Sequence, residues 1–119
     1  MTASIARQLC YGLTALIALV LTWTFNLGYF GTPDAGGLAG YLAAWFANDA
    51  SSSAAVDLIA LAVAASVFMI AESRRVGIRW PVALAFVLAG FAVAMSFAFP
   101  LFLLVRERRL ASPPPRDHD

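Results

Sequence analysis

Polar and apolar positions along this chain separate into blocks. Three long apolar runs, at about 9–30, 54–71 and 80–105, are divided by short polar stretches, and the only charge inside any of them is Asp57. An uncharged run of about 20 residues or more is long enough to cross a bilayer as a helix. The pattern therefore predicts an all-α integral membrane protein. It has three transmembrane helices, at about 9–30, 54–74 and 79–106, plus one short interfacial amphipathic helix at about 37–48. These form a single domain over 1–110, and 111–119 (ASPPPRDHD) reads as a disordered polar tail.

The third run holds 26 residues without a charge. As straight helix it would measure roughly 39 Å against a hydrocarbon core of ~30 Å. It must tilt, protrude or kink. Pro100 offers the kink, because proline removes one backbone hydrogen bond and frees the carbonyl of Ser96 four residues back. Two ridges of small residues mark this helix: Ala85, Ala89 and Val93, then Gly90, Ala94 and Ala98. Such ridges let helix backbones approach closely in lipid. In the short helix, Leu38, Tyr41, Leu42, Trp45 and Phe46 fall at helical spacing, and Tyr and Trp favour the membrane–water boundary.

The connections carry their own signals. GTPDAGG at 31–37 is turn chemistry, and Ser51, Ser52 and Ser53 offer N-cap hydroxyls to the second span. In the turn between the second and third spans, Glu72 and Arg75 share a face and Arg79 can return from the next helix. They are the expected structural ion-pair knot. Arg7 followed by an apolar run resembles a signal peptide, but the run is long and no small-x-small cleavage site follows, so a retained first helix is expected.

Composition narrows the chemistry. Of 119 residues, 61% are hydrophobic and 13% charged, and the mean hydropathy is +0.79, too apolar for a soluble domain of this size. A net charge of +1 gives no basic field for nucleic acid. All eight basic residues are arginine, a composition that fits a bacterial source. With one cysteine (Cys10) and one histidine (His118, in the tail), no metal, haem or other cofactor is expected. Asp57 and Glu72, 15 residues apart, lie about 22 Å apart along a helix, too far for a two-carboxylate hydrolase.

Three straight spans would gather the end of the first, the start of the second and the end of the third on one side. That predicts an intramembrane polar cluster of Asn26, Asp57, Ser96 and Arg106, with Asp57 paired to Arg106. The bland alternative is an ion pair that orients the bundle, with Asn26 as a helix-end residue. Arginines divide four against four between the sides. The first helix, flanked by Arg7, tips the expectation to the cytoplasmic (inner) membrane with the N-terminus inside and the C-terminus outside. Expected partners are the lipid bilayer and another membrane protein or a second copy.

The motifs Trp45-Phe46-Ala47-Asn48, Ser52-Ser53, Asp57-Leu58, Glu72-x-x-Arg75-x-Gly77 and Ser96-Phe97-Ala98-x-Pro100-Leu101-Phe102-Leu103-x-x-Arg106-Glu107-Arg108, with TWTFN at 22–26, resemble a family of small bacterial membrane proteins, domain of unknown function 2834. The resemblance covers roughly 10–110. It implies three to four membrane helices and no established activity. The leading expectation is a non-catalytic accessory or assembly subunit acting through helix packing. The alternatives are a membrane-embedded binder or acid catalyst for an isoprenoid or lipid using Asp57, and an oligomeric small-solute transporter or channel.

Overall fold

A computed structural model describes residues 2–112. Its regular elements are all helical: α1 (Ala3–Phe30), α2 (Gly37–Trp45), α3 (Asp49–Val76), α4 (Trp80–Ala89) and α5 (Met95–Ala111), with a π-helical turn, Gly90–Ala94, between the last two. Three stretches are long and apolar enough to cross a membrane: α1, α3 and Trp80–Ala111. The expected fold class holds, with α2 as the additional short helix. Residues 113–119, and with them most of the expected tail, lie outside the described residues.

Local chemistry sets the helix ends. The Thr2 hydroxyl accepts from the Ile5 N–H, so α1 starts six residues before the apolar run. Asn48 forms a reciprocal capping box with Ser51, which moves the start of α3 back to Asp49 and puts the three serines inside the helix. Gly77, at φ 76°, closes α3 in the left-handed conformation that glycine adopts without strain.

The third apolar stretch doubles back on itself. Ala94 is extended (φ −171°, ψ 133°), which breaks the helix between α4 and α5. Across the break, the Phe86 and Phe102 rings lie 5.5 Å apart. The Arg109 guanidinium donates to the Gly77 carbonyl at 2.9 Å, although a straight helix would separate these residues by about 48 Å. α4 and α5 are thus two arms of a helical hairpin. The excess length is absorbed by this reversal at 90–94, and Pro100 lies inside α5. Gly90 is suited to the tip, because a Cβ there would lie 2.8 Å from Met95 Sδ. The ridge Gly90–Ala98 consequently faces itself across the hairpin, the added Cβ falling 3.7 Å from that of Ala98.

The reversal decides which ends meet. Arg7 at the start of α1 pairs with Glu107 near the end of α5, and Trp23 reaches the hairpin tip. Glu72 near the end of α3 pairs with Arg106. The start of α1, the end of α3, the start of α4 and the end of α5 therefore form one end of the molecule, with α2 and the hairpin tip at the other. The expectation that the first and third spans end on the same side is overturned, because the third stretch folds back on itself.

The core lies between α3 and the hairpin: Ala62, Ala65, Met69, Ile78, Met95 and Phe102 are buried together. Small residues on α3 allow the close approach. Ser66 and Ser73 are buried there because their hydroxyls donate to the carbonyls of Ala62 and Met69. Outside, large apolar side chains such as Leu13, Leu16, Phe25, Val63 and Phe91 stand exposed.

Candidate functional site

Two polar assemblies and an open pocket beside Arg7, Tyr11 and Glu107 mark one end of the molecule, and a more enclosed cavity marks the other. At the arginine end, Glu72 accepts from Arg75 and, at 2.6 Å, from Arg106 Nε. Glu107, buried, accepts from Arg7 Nη2 at 2.7 Å. The expected knot of Glu72 and Arg75 forms, but Arg106 completes it; Arg79 makes no ion pair among the described residues. Nothing in the spacing of Arg106 foretells this, since it depends on the hairpin.

The other end holds a cavity of about 380 Å³ enclosed by α1, α2, α3 and the hairpin tip. Each wall is built by a local feature. α2 is folded over the end of α1 by a turn in which Asp34, Gly36 and Gly37 all take positive φ. It is pinned by the Tyr29 hydroxyl, which lies 2.9 Å from the Gly40 carbonyl and 3.1 Å from that of Ala35. Gly40 admits this fold, because a Cβ there would collide with the Ala35 carbonyl. Tyr29, Phe30, Tyr41 and Trp45 then pack ring against ring between α1 and α2. On the opposite wall the π turn brings the backbone of 90–96 to the cavity. The Trp23 indole N–H donates to the Val93 carbonyl at 3.0 Å, which satisfies an acceptor at the break.

Inside the cavity the Tyr41 hydroxyl donates to Asn26 Oδ1 at 2.7 Å. Thr22 and Ser96 also line it, but among the described residues no carboxylate, arginine or histidine does. Of the four residues expected to cluster, the structure brings Asn26 and Ser96 to one cavity and separates the other two. Arg106 is carried to Glu72 by α5. Asp57 is exposed and has no ion pair or hydrogen bond among the described residues. The physical reason for the separation is the hairpin, which takes the end of α5 away from the start of α3. Trp23, Tyr41 and the π turn were not anticipated as site residues. π-helical turns recur at functional sites, but their sequence signal is weak, and here it lies in an uncharged run.

These features define a class: a small all-helical protein with three stretches apolar enough to cross a membrane, an apolar exterior and a part-enclosed cavity at one end. A family model described as "Protein of unknown function DUF2834" matches residues 10–108, and the chain belongs to that family. No curated protein and no solved structure matches it.

Proposed function

We propose that this protein is a non-catalytic multi-pass protein of the bacterial inner membrane that binds one amphiphilic molecule in the cavity under α2. The observation that carries this reading is the cavity itself. It has mostly apolar walls with a few convergent polar groups, Asn26, Tyr41, Ser96 and Thr22, which is how small-molecule sites are generally built. No acid lies among them, and this supports binding over proton-transfer chemistry. In this reading the arginine end is cytoplasmic. It carries Arg7, Arg74, Arg75, Arg79, Arg106, Arg108 and Arg109, and no arginine occurs between Arg7 and Arg74. The positive-inside rule then places the cavity toward the outer leaflet.

A second reading, assembly with another membrane protein or a second copy, is favoured by Asp57. It stands exposed about 12 Å along α3 from Asp49, on a face shared with Ser53, Ala54, Ala60 and the exposed Leu61. A carboxylate at that depth calls for a partner, and small residues let one approach.

Native mass spectrometry of gently extracted protein tests both. A stoichiometric small-molecule adduct is expected, lost in Leu58→Trp, which fills the cavity from the α3 wall, and kept in Leu13→Trp, which is exposed and remote. An adduct that survives Leu58→Trp unchanged, or none at all, refutes the binding reading. A second polypeptide lost in Asp57→Ala would establish the assembly reading.

A further inference from the structure

The cavity's hydrogen-bonding groups are unevenly occupied. Asn26 Oδ1 accepts one bond, from Tyr41, and the Val93 carbonyl one, from Trp23. The Asn26 amide N–H groups and the Trp45 indole N–H make no hydrogen bond among the described residues, nor do the hydroxyls of Thr22 and Ser96. The first two can only donate, and the hydroxyls can do either. Two of the open side-chain groups are therefore donor-only. A primary alcohol brings a single oxygen to these two donors. A head that accepts through carbonyl oxygens meets several partners.

Charge and shape restrict the head further. Among the described residues no ionised side chain lines the cavity, so a phosphate or carboxylate head would be desolvated without a counter-charge, at a large cost. Five aromatic residues, Trp23, Phe30, Tyr41, Trp45 and Phe91, line the walls, and rings pack favourably on a flat conjugated head. About 380 Å³ lies toward the lower end of the ~300–1,000 Å³ typical of ligand pockets. One ring and the first part of a chain fit that volume better than a two-chain phospholipid.

Resting on the binding reading above, we infer that the occupant is a neutral ring lipid bearing carbonyl acceptors, the chemistry of an isoprenoid quinone. The ring lies among the aromatic side chains, its carbonyls accept from Asn26 and Trp45, and the tail leaves through the cavity mouth. The inference concerns binding alone, and no redox step is assigned to the protein.

Tryptophan quenching tests it on the full-length chain in detergent. Trp80 stands exposed at the opposite end, so a Trp80→Phe background leaves Trp23 and Trp45, both at the cavity, as reporters. A benzoquinone with a ten-carbon tail is expected to quench saturably, at one molecule per chain. Asn26→Leu should weaken it about tenfold, and Trp45→Phe, which keeps a ring but removes the donor, should weaken it several-fold. A phosphate monoester with the same tail should not compete. Because Asn26→Leu also removes the acceptor for Tyr41, its helicity and elution volume are checked, and Trp45→Phe decides the matter if it misfolds. Quenching that never saturates, or that both variants leave unchanged, overturns the inference, as does equal competition by the phosphate ester. An adduct lost in Leu58→Trp that proves to be a phospholipid or an acylglycerol leaves the binding reading standing and removes the quinone. Absence of both adduct and saturable quenching removes both.

Discussion

Gly90 and Glu72 show how single residues hold this fold. A side chain on Gly90 meets Met95 and Ala98 at once, because the hairpin tip brings α5 back against it. Overpacking a well-filled site costs about 1–3 kcal/mol. Gly90→Leu is expected to lose at least that much in a detergent denaturation series, whereas Leu88→Ala, an exposed position one turn from the tip, should change little. If Gly90→Leu proves neutral, the tip is looser than the described packing. Glu72 receives two guanidinium groups, of which Arg75 is its own helix neighbour and Arg106 belongs to the hairpin. Glu72→Gln should lower the thermal midpoint more than Arg75→Gln, because only the former frees Arg106 from α3. Exchanging Glu72 and Arg106 should recover part of the loss, and no recovery would mean that the pair does not join α3 to α5.

At the scale of elements, the hairpin depends on help from α1. The break at 90–94 places a backbone carbonyl, Val93, beyond regular α-helical bonding, and the Trp23 indole answers it. Leaving a buried acceptor without a partner costs about 1–3 kcal/mol. Trp23→Phe, which keeps the ring and removes the donor, should destabilise the protein by about that amount. It should also raise amide exchange at 94–98 more than elsewhere, and uniform exchange would count against a role at the break. This element also marks how far the sequence could be read. The helical stretches announce themselves through uncharged runs, and the α2 stripe through its spacing. The reversal does not, because GFAVA contains none of the polar residues that signal a turn in water. Its backbone groups are met by a π turn and by Trp23, 70 residues away. The length of the third run, too great for one straight crossing, is the legible clue; the reversal itself falls at 90–94, ahead of Pro100. Of the site, Asn26 and Ser96 could be anticipated as polar residues in apolar runs. Asp57 and Arg106 were placed beside them only by assuming a straight third span.

For the whole molecule, the hairpin converts an even division of arginines into a one-sided one. A straight third span would set four arginines on each side and leave orientation to Arg7 alone. With the hairpin, seven of the eight gather at one end, while Asp34 and Asp49, the first residue of α3, lie at the other. A bias of that size sets topology in short-loop proteins, since each arginine resists translocation. Both described ends of the chain should then lie in the cytoplasm, with the connection between α2 and α3 outside. Single cysteines in a Cys10→Ser background read this directly with a membrane-impermeant maleimide. Ala50→Cys should label in intact cells, whereas Ala3→Cys and Ser112→Cys should both stay protected until the membrane is opened. Labelling of Ser112→Cys together with Ala50→Cys would show the third stretch crossing in full, and the hairpin would fall. Labelling of Ala3→Cys and Ser112→Cys without Ala50→Cys would keep the hairpin and invert the protein, turning the cavity toward the inner leaflet. The ligand would then have to be supplied from the cytoplasmic side.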